Sequence, residues 1–235
     1  MKKLTLLLLI LFPISLSSQS LTGAWERTYL SDNGDTLKNV VIFAEGYQVA
    51  TTYHVTTGKF IRTNGGTWKI DGDQMTEKVE FDSENPQRVG SEVTFQVKIT
   101  DEQIQIVGRD SKWVRIDDGS PGKLQGAWLM SGRFRNEEKQ MRDTGRPRKT
   151  MKVLSGTRFQ WIAYNTETKE FKGTGGGTYT TENGEYIENI EFFSRDDSKA
   201  GLSLKFNYEM IDGNWHHKGF SSKGDPIHEI WSMRE

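Results

Sequence analysis

Leu202, Leu204, Phe206, Tyr208 and Met210 alternate with Ser203, Lys205, Asn207 and Glu209, so one face of this segment is apolar and the other polar. Val93, Phe95, Val97 and Ile99 alternate in the same way. A period of two predicts half-buried antiparallel strands. The pairs Asn33-Gly34, Asp71-Gly72, Asn183-Gly184 and Asp212-Gly213 punctuate such runs and predict hairpins. No long window carries a 3.6-residue period, so helices are not expected.

The pattern occurs twice. Shifted back by 111 positions, residues 149–192 lie without a gap on residues 38–81. Tyr164 falls on Tyr53, Phe171 on Phe60, and Gly176-Gly177-Thr178-Tyr179 on Gly65-Gly66-Thr67-Trp68. Glu188-Asn189-Ile190-Glu191-Phe192 falls on Glu77-Lys78-Val79-Glu80-Phe81. Each copy opens on Gly-Ala-Trp (Gly23-Ala24-Trp25 and Gly126-Ala127-Trp128) and closes on a Trp followed by a basic residue (Trp113 with Arg115, Trp231 with Arg234). Short strands joined by tight turns close most readily into antiparallel barrels, which have no exposed edges. The expected fold is all-β, two tandem antiparallel β-barrels over residues 21–118 and 124–235, with a polar linker at 119–123.

Residues 1–20 are expected to be a leader. Lys2-Lys3 precedes an apolar run from Leu4 to Ile14, and Ser15-Leu16-Ser17-Ser18 follows with small residues. That is the make-up of a secretory signal peptide, too short to span a membrane. The expectation is an exported protein, periplasmic or secreted, with no membrane span after cleavage. There is no cysteine, so no disulfide framework supports the barrels. The formal charge of −1 excludes a nucleic-acid partner read from bulk charge. Residues 21–123 carry 12 basic and 16 acidic side chains and residues 124–235 carry 17 and 16, which favours the second copy for an anionic ligand.

The opening Gly-x-Trp, the Gly-Gly-Thr-aromatic strand entry, Glu-x-Ile-Glu-Phe and the closing Trp resemble the lipocalin-like secreted proteins of Bacteroidota. The resemblance spans the chain after the leader, is fuller in the second copy, and rests on structural motifs. It implies lipocalin-like barrels and a place near polysaccharide-degrading enzymes. A similar group acts as a dehydratase on uronic-acid-terminated ulvan oligosaccharides, which implies a hydro-lyase forming a 4,5-unsaturated uronate. The resemblance assigns no catalytic residue to this chain, so the candidates below come from the residues themselves.

Polar residues private to one copy are the first candidates. Trp215-His216-His217-Lys218-Gly219 replaces Ile104-Gln105-Ile106-Val107-Gly108. Only one of His216 and His217 can face a barrel interior, since adjacent strand residues point oppositely. Either is a satisfied histidine or a general base, because histidine titrates near neutrality. Trp161 stands where the first copy has Ala50. Arg158, Trp161 and Tyr164 share one strand and form a cationic and aromatic mix suited to a sugar, with Tyr164 as an acid or as core. The insertion at 133–149 carries seven basic and three acidic residues, and Arg142, Arg146 and Arg148 could fork a carboxylate or sulfate. The second insertion carries His228 and could close a barrel mouth. Glu188, on an apolar face, needs a partner and is read as a buried pair or a substrate contact. Three histidines alone do not build a metal site, and neither a metal nor any other cofactor is expected. No Gly-x-Ser-x-Gly elbow or phosphate loop is present.

The expectation is an exported hydro-lyase whose second barrel acts on an anionic oligosaccharide, with His217 or His216 as base, Tyr164 as acid and Arg158 with the loop arginines as carboxylate clamp. The alternatives are a non-catalytic lipocalin-like binder and a structural envelope protein.

Overall fold

A computed structural model describes residues 20–120 and 122–234. The expected leader lies outside the described residues, Ser20 excepted. The first unit contains β1 (Gly23–Leu30), β2 (Thr36–Ala44), β3 (Tyr47–His54), β4 (Phe60–Asp71), β5 (Gln74–Asp82), β6 (Glu92–Ile99), β7 (Gln103–Ile106) and β8 (Lys112–Asp117). Each strand pairs antiparallel with the next, and β1 pairs with β8, so the sheet closes. The second contains β9 (Gly126–Arg135), β10 (Glu138–Met141), β11 (Arg148–Leu154), β12 (Arg158–Asn165), β13 (Phe171–Glu182), β14 (Glu185–Phe193), β15 (Ser203–Ile211), β16 (Asn214–Phe220) and β17 (Pro226–Met233). β9 and β11 to β17 close through the β9–β17 pairing, and β10 is a short hairpin partner of β9. The fold is all-β, two closed eight-stranded antiparallel barrels in tandem.

Repeated residues hold repeated positions. Trp25 Nε1 donates to the Leu21 carbonyl at 2.9 Å, and Trp128 Nε1 to the Leu124 carbonyl at 2.9 Å, so each opening Trp is pinned inside its own barrel. Gly66 and Gly177 sit at β-bulges in β4 and β13. A Cβ there would lie 2.0 Å from the carbonyl oxygen of Lys78 or Asn189, so the close strand approach demands glycine.

The barrels share a core in which the repeat meets itself. Val40, Ile42, Val49, Tyr53 and Phe81 of the first pack with Met151, Val153, Ile162, Tyr164 and Phe192 of the second. Contacts across this face are reciprocal. Tyr53 stacks on Phe192 at 4.8 Å, and Tyr164 packs on Phe81 at 5.0 Å. Phe60 stacks on its own counterpart Phe171 at 5.9 Å. The Tyr53 hydroxyl donates to Glu191, and the Tyr164 hydroxyl donates to Glu80 at 2.6 Å. Arg158 bonds Glu191 at 2.6 Å, and Arg234 grips both oxygens of Glu80 at 2.8 and 2.7 Å. Duplicated tyrosines and glutamates are therefore the two halves of one pseudo-twofold interface.

Candidate functional site

Large buried side chains occupy the interior of the second barrel. Lys152 on β11 points inward, 4% exposed, and donates to Glu188 Oε1 on β14 at 2.7 Å. Its ammonium lies 5.1, 4.9 and 5.1 Å from the ring centres of Tyr186, Trp215 and Trp231. The Tyr186 hydroxyl donates to the same Glu188 oxygen at 2.9 Å. His217 fills the remaining space, 2% exposed, 3.9 Å from the Phe206 ring centre and with Nδ1 3.4 Å from Glu229 Oε2. Burial, and then the Lys152 charge, hold His217 below its usual value, so it is neutral at pH 7.

The first barrel is hollow, because smaller residues stand at the same places. Val41, Ala50, Met75, Ile104 and Ile106 replace Lys152, Trp161, Tyr186, Trp215 and His217. A cavity of about 870 Å³ results, within the range that small-molecule sites occupy. Its walls are built in cross-strand rows. Arg27, Asn39, Thr52 and Arg62 are successive neighbours on β1 to β4; Trp25, Val41, Ala50 and Asn64 form the adjacent row, and Phe43 with Gln48 the next.

Four arginines (Arg27, Arg62, Arg88 and Arg109) and four carboxylates (Glu77, Asp82, Glu84 and Asp110) line this cavity, and only some of them pair. The Arg27 guanidinium lies 4.6 Å from the Tyr29 ring centre and 4.5 Å from that of Trp113, and its buried Nε has no hydrogen-bond partner. Burial pulls Arg27 below its usual value, and the like charges of Arg62 and Arg109 add to this. Arg62 pairs with exposed Glu84 at 3.2 Å, whereas among the described residues no carboxylate pairs with Arg27 or Arg109. Gln48 is 2% exposed with its Oε1 unpartnered. Glu77, the counterpart of Glu188, lines the same cavity with no hydrogen-bond or ion-pair partner among the described residues. Burial pushes its carboxyl up to about 7, opposed by Arg88, which is itself engaged by Asp82 at 2.7 Å.

The residues singled out from the sequence do not meet in one cleft. His217 is inside the filled barrel; His216 is on its outside, Nδ1 3.1 Å from His228 Nε2, with Phe134 stacked on His228 at 4.2 Å. Trp161 faces the barrel interior and packs on Phe193 at 5.5 Å. Arg158 and Tyr164, on the same strand, face the other way, into the interface. Tyr164 serves Glu80 there, and burial raises its hydroxyl well above the usual value, so it is a poor proton donor for catalysis. Arg158 is neutralised by Glu191 rather than offered to a ligand. Glu188 is satisfied by Lys152 and Tyr186. Arg146 and Arg148 are exposed, Arg146 near Asp143 at 3.8 Å, and Arg142 lies against Met130 Sδ at 3.0 Å. Of the base, acid and clamp expected in the second barrel, His217 is thus inside it, Tyr164 and Arg158 are in the interface and the loop arginines are outside, and the open cavity belongs to the first. Among the described residues no group of three or more His, Asp or Glu is placed to hold a metal.

Fold and cavity together define a duplicated lipocalin-like protein with one filled and one open barrel. Residues 123–234, the second barrel, match a family described as a domain of unknown function (DUF4488). No curated protein matches the chain.

Proposed function

We propose that this protein is a lipocalin-like binder that holds a small anionic molecule in the first barrel. The cavity carries the reading: of the arginines on its wall, Arg62 pairs with Glu84 and Arg88 with Asp82, whereas Arg27 and Arg109 have no ion-pair partner among the described residues. A guanidinium such as Arg27's, held against aromatic rings without an ion-pair partner, favours a carboxylate, sulfate or phosphate. The aromatic and amide lining suits a sugar ring behind that group. Calorimetric titration with glucose 6-phosphate and with uronic-acid-ended oligosaccharides tests this. Binding is expected to be lost in Arg27→Ala and to weaken with salt. Binding that survives Arg27→Ala together with Arg62→Ala would sink the reading.

A second reading is hydro-lyase chemistry on uronate-ended oligosaccharides, favoured by Glu77. A carboxyl that titrates near 7 suits general acid–base work. In this reading the arginines clamp the uronate carboxylate and Glu77 takes the C5 proton. The carboxyl so formed returns that proton to the C4 hydroxyl on the same face, which departs as water as the C4–C5 double bond forms. Rising ultraviolet absorbance from the conjugated double bond, absent in Glu77→Gln, would support it; a flat trace with intact binding leaves the binder. The make-up of residues 1–20 supports placing the protein outside the cytoplasm, in the periplasm or beyond.

A further inference from the structure

We infer that the ligand of the first barrel carries a protonated amine, seated on Glu77 where the second barrel seats the ammonium of Lys152. This rests on the binding site proposed above and adds the second charge of the ligand.

The two barrels are the same scaffold solved in two ways. In the second, an ammonium is held by Glu188 at 2.7 Å and ringed by Tyr186, Trp215 and Trp231. In the first, the glutamate remains as Glu77, but Lys152 has become Val41, Tyr186 Met75 and Trp215 Ile104. Without the lysine, Glu77 is left half-buried on the cavity wall with no cation of the chain paired to it among the described residues. No described side chain takes the lysine's place: Arg88, whose charge acts on Glu77, is engaged by Asp82 at 2.7 Å. The space left by the lysine and its rings is instead continuous with the cavity. Glu77 also sits among apolar neighbours, Met75, Val93 and Phe95, where an unpaired carboxylate has no structural use. An amine entering from the mouth would restore the pair while its anionic end met Arg27 and Arg62. The fitting class is a zwitterion: an amino acid with a distal amine, or an amino sugar bearing an acidic group.

Proton release on binding gives a further sign. A carboxyl that titrates near 7 is largely protonated at pH 6. An ammonium arriving beside it stabilises the ionised form, so binding at pH 6 releases a proton. A ligand hydroxyl hydrogen-bonded to neutral Glu77 would release none.

The test compares ω-amino carboxylates, from β-alanine to 6-aminohexanoate, with their ω-hydroxy counterparts and with glucose 6-phosphate, by calorimetry at pH 6 in buffers of different ionisation enthalpy. At least one amino member should bind about tenfold or more tighter than its hydroxy partner, with proton release. Glu77→Gln should erase that preference, and Val41→Lys should abolish amine binding by supplying the ammonium from the chain. Equal binding of the two series, or binding of glucose 6-phosphate alone, would overturn the amine and leave the anion site standing. If none of the probes binds, both readings fall. Retention of the amine preference in Glu77→Gln would also overturn the assignment.

Discussion

A single glutamate on equivalent strands has opposite fates in the two barrels. Glu188 accepts a hydrogen bond from Lys152 at 2.7 Å, whereas Glu77 faces a cavity with its carboxyl pushed up to about 7 from an ordinary 4.5. The folded state therefore holds the Glu77 proton more tightly than the unfolded chain does. Stability from this group is fully present below about 4.5 and is lost as pH rises through about 7. Across that window the wild type should lose roughly 1–3 kcal/mol that Glu77→Gln keeps, as read by urea denaturation of both at pH 5 and pH 8. Parallel curves would show that Glu77 titrates normally. For the second barrel, Lys152→Met should cost about 3–5 kcal/mol, because it leaves Glu188 buried without its cation. A change below about 1 kcal/mol would mean that the pair is not what fills this barrel.

At the scale of strands, the alternation that predicts β-structure also divides each strand between two destinations. On β12, Phe159 and Trp161 enter the barrel, while Arg158, Gln160, Ile162 and Tyr164 enter the interface. Gln160 there bonds Thr51, Thr63 and Thr174 at 2.6, 2.9 and 3.0 Å. Tyr164→Phe should therefore cost stability, about 1–2 kcal/mol for a lost bond to a carboxylate, and leave ligand affinity unchanged. A loss of affinity without a loss of stability would place Tyr164 in the site after all. Strands, hairpins and the duplication were legible because their signals are local: a period of two, Asn-Gly and Asp-Gly turns, and bulge glycines. Which polar strand face met solvent was not, because a face packed on a second barrel reads like a face turned to water. Arg158 and Tyr164 lie on such a face, and their partners Glu191 and Glu80 are on it too.

The whole molecule is one body with a common core, since residues from both barrels build the same cluster. Calorimetric unfolding should show a single transition, moved both by Lys152→Met in one barrel and by Glu77→Gln in the other. Two separable transitions would contradict the shared core. The candidate site was less legible than the fold. Seeking polar residues private to one copy led to His216, His217 and Trp161, which crowd the second copy. The informative difference was the reverse one, small residues at Val41 and Ala50 facing large ones at Lys152 and Trp161, with Glu77 kept. The site is defined by what the first copy lacks, and a search for added chemistry passes over it.

Titration of the wild type and Ala50→Trp, side by side, with the same uronate and sugar-phosphate panel tests the central claim most directly. The substitution puts into the first barrel the side chain that helps to fill the second. Saturable binding to the wild type and none to a folded Ala50→Trp is the predicted result. Equal binding by both proteins would show that the ligand site is not the hollow barrel.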